Sequence, residues 1–385
     1  MPPPTDEFGA STNPWGRTPA RVIRVAGPAS PYDPSYALLT RIGRVTQILE
    51  RERPDVLEIH SPYLAALAAL RADPATFGLR TFQWHSDFID TYAGVAAARV
   101  SEGFPVFDPK RWAQAFTLAT KPAWSLVRTI ASRCDATLVA ARWQEKKLTD
   151  HGVSRVHRIP FGVERHVFSP LATSEEGRQE LLHLAQLSAT PEVRARVLVG
   201  VGRFAIEKRW DIVIDAFLKL RERNVCADRP LRLVLIGDGP ERGRMEKQAS
   251  SAPDIVMPGF IHDRPRLARL LANADALVHA CPFETFGLSI AEASSAGLPH
   301  VVPDQGGAAE MHAAEAGERY ASLDANACSR AIERLLARLD THSTEMRRAA
   351  VQAVAHLPTV HEQFARQITL YRVLIEAKRT ASQSV

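Results

Sequence analysis

From residue 196 onward, short runs of β-branched residues alternate with amphipathic segments of helical length. That alternation restricts the chain to a parallel sheet with helices on both faces. The runs are VLVGV (197–201), RLVLIG (232–237), DIVMPG (254–259), ALVHA (276–280) and HVVP (300–303). The clearest helix between them covers Trp210 to Arg221, where Ile212, Val213, Ala216, Phe217 and Leu220 share one face. Gly297 followed by Pro299 reads as the stop of a helix that contains Glu292.

The first half repeats the pattern less cleanly, in ARVIRVA (20–26), DVLEIH (55–60), LRTFQWH (79–85) and ATLVA (136–140). A chain of 385 residues exceeds what one core usually supports, so two α/β units are expected. The expected units are residues 1–168 and 169–358, joined around 164–172, where the periodicity lapses. Residues 359–385 are helical in pattern from Thr359 to Lys378 and are expected to return to the first unit. Phe364, Ile368, Tyr371, Leu374 and Ile375 are the side expected to be buried. Lys110, Arg111, Trp112, Phe116, Lys121, Trp124 and Arg128 mix basic and aromatic residues in one stretch interrupted by Pro122. A buried helix pair is expected there, with a membrane-attached surface as the alternative.

Cys134, Cys226, Cys281 and Cys328 form neither a C-x-x-C pair nor a zinc spacing, which suits reduced thiols in a cytoplasmic protein. Neither a leader segment nor a membrane span is expected, because no basic-then-apolar start and no run of about 18 apolar residues is found. The net charge of +5 lies entirely in residues 1–168, which hold 21 Lys and Arg against 16 Asp and Glu, with 27 against 27 in the rest. Such a bias favours an acidic membrane surface or a phosphorylated acceptor. No nucleic-acid partner is expected.

The chemistry concentrates at two strand ends. GVGRFAIEK (200–208) has G-x-G-x-x-A spacing, but a dinucleotide site needs an acidic residue about 20 positions on at a strand end. Residues 218–223 read as helix instead, which argues against a nicotinamide site. Arg203 and Lys208 flank this loop where open α/β sheets bind ligands, and two cations suit a diphosphate. In PFETFGLSIAEASSAG (282–297), Phe286, Gly287 and Leu288 stand where a helix should begin, and their backbone N–H groups form an anion site. Glu284 lies before that helix and Glu292 within it. Carboxylates accept the paired hydroxyl hydrogen bonds that ribose and hexose rings offer.

The order GRFAIEKRWD, LVLIGDGPER, MPGFIHD, ADALVHACPFETFGLSIAEASSAGLP, GGAAEM resembles the C-terminal domain of glycosyltransferase family 4, including its Glu-x7-Glu element, over residues 196–320. The first half is similar through RPDVLEIHSP, QWHSD and IPFGVERHVFSP. The resemblance implies a GT-B fold, two Rossmann-like domains facing across a cleft. It also implies retaining, metal-independent transfer of a hexose from a nucleoside-diphosphate sugar, with no cofactor, and no Asp-x-Asp element is found to hold a metal. Carried over, Arg203 and Lys208 hold the donor diphosphate, Glu292 takes the ribose hydroxyls, and Glu284 with the backbone of Phe286 to Leu288 faces the donor sugar. His85 would project toward the reacting sugar, and Gly259, Phe260 and Ile261 would lie near the base. Family members open with one βα unit more than is found before RPDVLEIHSP, so the N-terminal domain is expected to lack its first βα unit. A non-catalytic nucleotide-sugar binding protein and a sugar-nucleotide epimerase of the same architecture are the rival readings.

Overall fold

A computed structural model describes residues 8–11, 20–30, 36–91, 109–187, 195–225 and 228–383, with side chains from 21 onward except 109–118 and 382. The elements are, in order, β1 (Phe8–Ser11), β2 (Ala20–Ile23), α1 (Ile42–Glu52), β3 (Val56–Ile59), α2 (Leu64–Arg71), β4 (Leu79–Gln83), α3 (Pro109–Ser132), β5 (Ala136–Val139), α4 (Arg142–Asp150) and β6 (Val156–Arg158). The second half holds α5 (Glu175–Leu184), β7 (Arg196–Val201), α6 (Trp210–Glu222), β8 (Leu231–Ile236), α7 (Arg242–Gln248), β9 (Ile255–Gly259), α8 (Arg264–Asn273) and β10 (Ala276–Val278). It ends with α9 (Leu288–Ser295), β11 (His300–Pro303), α10 (Gly306–Glu310), β12 (Gly317–Tyr320), α11 (Ala325–Val354) and α12 (Val360–Gln383).

The C-terminal sheet runs β12-β11-β10-β7-β8-β9, all parallel. Its order reverses between β7 and β10, and such a switch point opens a crevice at the strand ends. Val197, Leu198 and Val199 of β7 are fully enclosed because helices cover both faces of the sheet. The N-terminal sheet runs β3-β4-β5-β6, also parallel.

Three expectations need correction. ARVIRVA does not enter a parallel sheet: β2 pairs antiparallel with β1, Ile23 opposite Phe8. A strand covered on both faces has no place for Arg21, which is exposed. The strands β6 and β12 went unread because both are sheet edges carrying charged residues, among them Arg158 and Glu318.

Second, α3 runs unbroken through Pro122. Burial of Trp124, Val127 and Ile130 outweighs the roughly 3 kcal/mol that an interior proline costs. Trp124 stacks on His151 at 3.6 Å and faces Trp84 at 6.0 Å. It belongs to the core, while Lys121 and Arg128 are exposed. The side chains of Lys110, Arg111, Trp112 and Phe116 lie outside the described residues, as does Cys226.

The third concerns α12, which lies against the N-terminal sheet. Leu370, Tyr371, Leu374 and Ile375 pack on Val56, Leu79, Ala136, Leu138 and Ile159. Lys378 donates to the Gly78 carbonyl at 3.0 Å and pairs with Asp135 at 3.2 Å. Phe364 and Ile368, expected to be buried, are 54% and 49% exposed. The side turned inward over the first two turns is polar, carrying Gln363 and Gln367.

His300 of β11 is fully enclosed, with Ser294 Oγ 3.4 Å and His312 Nδ1 3.3 Å from its ring nitrogens. Burial, then the neighbouring His312, pushes its imidazole down to about 3. The folded protein therefore keeps His300 neutral where the unfolded chain takes up a proton, below about 6.5. This contribution to stability is present above the unfolded value and is lost as pH falls toward 3. Chemical denaturation at stepped pH should show stability declining across that window, with a shallower decline in His300→Gln. Equal slopes in the two proteins would remove His300 from the acid transition.

Candidate functional site

The loop after β7 carries the first two predicted residues. Arg203 places its guanidinium over the Tyr36 ring, 4.6 Å from the centroid, and its carbonyl accepts from Trp210 Nε1 at 2.9 Å. The loop does not turn directly into a helix: Ile206–Lys208 form a short 3-10 turn, Arg209 is left-handed at φ 51°, and α6 starts at Trp210. This is not the tight strand-to-helix turn of a dinucleotide fingerprint. Side chains are excluded beside it, since a Cβ on Gly237 would lie 1.9 Å from the Gly202 carbonyl oxygen.

Lys208 reaches across to the other motif. Its Nζ lies 2.7 Å from Glu284 Oε2, and His279 Nε2 lies 3.4 Å from the same oxygen. The lysine and glutamate side chains are only 24% and 14% exposed. Burial alone would neutralise both, but their mutual attraction wins, holding Glu284 well below the ordinary carboxylate range and Lys208 well above its own. The independent second cation expected from the sequence is therefore half of an ion pair. Ligand-type atoms of His279, Cys281 and Glu284 lie within 4.8 Å of one another. The lysine ammonium already meets the charge there, and burial pushes the Cys281 thiol up to about 12, so it stays protonated.

Gly287 precedes α9 at φ 93°, a conformation that favours glycine. Its carbonyl takes the Ile290 and Ala291 amides, leaving the first-turn amides of Leu288 and Ser289 at the open end of the helix. Phe286 is buried, its ring edge-on to Phe161 at 5.2 Å, so only its backbone serves the site. Leu288 is part-exposed at the mouth.

One turn further along, Glu292 is buried and its Oε1 accepts from Arg264 at 2.7 Å, while Arg264 Nε donates to Glu164 at 2.7 Å. Burial, opposed by Arg264, raises the Glu292 carboxyl above its usual range. At the end of β9, Gly259 accepts from the Gly237 amide at 3.0 Å, and Phe260 is 63% exposed. Ile261 lines, with Tyr36, Arg203, Asp238 and Pro240, a cleft of about 810 Å³.

His85 comes to this loop from the other sheet. Its carbonyl accepts from Thr285 Oγ1 at 2.9 Å, and the Thr285 carbonyl accepts from Trp143 Nε1 at 3.0 Å. The Glu310 carboxylate takes the Arg142 and Trp143 amides, each at 3.0 Å, at the start of α4. Burial, then His60, lowers the pKa of His85. The sequence reading found His85 but missed Tyr36, Glu58, His60, Arg264 and Glu310. Three of these stand inside runs it had singled out, DVLEIH and GGAAEM, as residues without an assigned role.

Two parallel sheets whose strand ends meet across a cleft, with Arg203, the Lys208–Glu284 ion pair and an open helix N-terminus on one wall and His85 on the other, form the GT-B architecture. Residues 3–167 match the model described as Glycosyltransferase Family 4, and residues 195–338 match Glycosyl transferases group 1. A GDP-mannose-dependent alpha-(1-6)-phosphatidylinositol dimannoside mannosyltransferase of Mycobacterium tuberculosis is 30% identical over 323 residues, 83% of this chain and 76% of that one. A GDP-mannose-dependent alpha-mannosyltransferase of Mycolicibacterium smegmatis is 28% identical over 78% of this chain and 72% of its own length. Among solved structures, sucrose-phosphate synthase from Thermosynechococcus elongatus superposes with a TM-score of 0.66 at 21% identity, covering 93% of this chain and 84% of that one. Anabaena HepE in complex with UDP and glucose gives 0.64 at 16% identity, covering 87% and 84%. The chain belongs to glycosyltransferase family 4 and is a nucleotide-sugar glycosyltransferase. Among the described residues no helix is long and apolar enough to cross a membrane.

Proposed function

We propose that this enzyme transfers mannose from GDP-mannose, with retention at the anomeric carbon, to a hydroxyl of a polyol or glycan acceptor. The observation that carries the reading is the Lys208–Glu284 pair beside the open N-terminus of α9, with His85 brought to the same loop through Thr285. The mannosyltransferase relatives support the choice of sugar and base. Lys208, Arg203 and the α9 amides stabilise charge developing on the departing diphosphate, so the cations come from the protein. Glu292 takes the ribose hydroxyls with the oxygen that Arg264 leaves open, and the segment Gly259 to Ile261 meets the base. No side chain is placed as a covalent nucleophile in this reading: the acceptor attacks on the face that the diphosphate leaves, and the phosphate takes its proton. An acceptor in a lipid headgroup would bring the enzyme to an anionic membrane, which the basic excess of residues 1–168 favours.

Thermal shift with GDP, UDP, ADP and GDP-mannose tests the donor. A ligand at 100 times its dissociation constant adds about 2.7 kcal/mol. GDP and GDP-mannose should raise the melting temperature more than UDP or ADP at equal concentration. A response to UDP alone would change the assigned donor, and no response to any of them would overturn the reading.

A further inference from the structure

Glu58, His60 and His85 stand in one hydrogen-bonded line at the C-terminal ends of β3 and β4. Glu58 Oε2 is 2.9 Å from His60 Nε2, and His60 Nδ1 is 2.6 Å from His85 Nε2, the two ring planes inclined by 20° with their centroids 4.8 Å apart. The other carboxylate oxygen of Glu58 accepts from Gln367 Nε2 at 2.7 Å and from the Tyr371 hydroxyl, both of α12. Tyr371 in turn accepts from Gln83 at 3.0 Å and from Gln367 at 2.6 Å. A cleft of about 150 Å³ opens beside the line, with Glu58, His60, His85, Phe161 and Gln367 among its walls.

The partners dictate where the hydrogens sit. Burial works against the charge on Glu58, but hydrogen bonds from His60 and Tyr371 outweigh it and hold the carboxyl below its ordinary value. A carboxylate only accepts, so the His60 hydrogen sits on Nε2. Neutral His60 then has a bare Nδ1, which accepts from His85 Nε2–H, and His85 is left with a bare Nδ1. Every hydrogen in the line points toward Glu58.

We propose that Glu58 is a positioning residue for the transfer reaction: acting through His60, it fixes the tautomer of His85 so that His85 Nδ1 accepts a hydrogen bond from a hydroxyl of the sugar. Gln367 and Tyr371 hold the carboxylate in place, and α12 thereby completes the site. This accounts for the polar inward side of the helix where an apolar one was expected. The proposal rests on the reading that His85 faces the transferred sugar.

Glu58→Gln tests it with little change of shape. Two donors, Gln367 and Tyr371, face the Oε1 position and draw the amide oxygen there, which turns the NH₂ toward His60. The line then reverses: His60 and His85 both become Nδ1–H, and His85 offers a donor where it had an acceptor. In ¹⁵N-histidine spectra the two tautomers should exchange, and kcat should fall about tenfold or more, as wrong-tautomer variants do. The thermal shift produced by GDP, which carries no sugar for His85 to meet, should stay at its wild-type value. Tyr371→Phe removes one hydrogen bond to the carboxylate and should lower kcat less, in the same direction. Wild-type kcat in Glu58→Gln, or a fall in kcat without a tautomer change, would overturn the proposal. Absence of a GDP shift in the wild-type protein would instead overturn the donor assignment, and the tautomer exchange can be read in either case.

Discussion

Lys208→Met is expected to lower transfer by about a hundredfold to a thousandfold, the usual effect of deleting one preorganised charge-stabilising donor. It should also destabilise the protein. The substitution leaves Glu284, only 14% exposed, without the ammonium 2.7 Å away, and stranding a buried charge costs about 3–5 kcal/mol at neutral pH. Part of that cost is relieved as the carboxyl takes up a proton, because the attraction that held its pKa down has gone. The deficit should therefore shrink as pH is lowered toward the range where Glu284 protonates in the variant. Adding Glu284→Gln should recover most of the stability and none of the activity, which separates the two roles. Denaturation curves and initial rates on the single and double variants provide the check. Full activity in Lys208→Met would show that the diphosphate sits elsewhere.

The motifs on the donor side were legible because they sit at the ends of β7 and β10, where burial on both faces produces nearly continuous apolar runs. HVVP was read with the same limits as the strand His300–Pro303, and all five residues expected on the inner face of α6 are buried. What the runs could not show was pairing between distant positions. Nothing local to Lys208 announces a partner 76 positions away in Glu284, and Arg264 gives no sign that it bridges Glu164 and Glu292. The N-terminal half was less legible for a physical reason: its strands are short, β2 pairs antiparallel outside the parallel sheet, and one face of that sheet is covered by a helix from the far end of the chain. Apolar periodicity in that helix pointed to Phe364 and Ile368. Hydrogen bonding decided otherwise, because the adjoining surface presents Glu58 and the Gly162 amide, which require polar partners.

Truncation after Leu357 is expected to abolish transfer and leave an aggregation-prone protein. It removes Leu370, Tyr371, Leu374 and Ile375 from a patch that includes Leu79, Ala136, Leu138 and Ile159, all of which are buried in the intact chain. Each large side chain returned to water costs about 1.5–3 kcal/mol, and the newly open face is a contiguous apolar surface. The cut also removes the first two of the four hydrogen bonds that join the two crossings between the sheets. The Val163 amide bonds to the Pro358 carbonyl at 2.9 Å, the Gly162 amide to Gln363 Oε1 at 2.7 Å, and Arg165 to the carbonyls of Ala355 and Leu357 at 2.8 and 2.7 Å. The crossings are thus stapled side by side, so opening and closing of the cleft is expected to turn on one shared hinge rather than on two independent ones. Without the second crossing, the Glu58 carboxylate loses both of its donors from α12. The donor side keeps its own core, so the truncated protein should retain part of its GDP-induced thermal shift under conditions that keep it soluble. Leu370→Asp with Leu374→Asp in the full-length chain should reproduce the loss of transfer by undocking the helix without removing it. A truncated enzyme that stayed soluble, monomeric and fully active would show that neither the hinge nor the site depends on the returning helix.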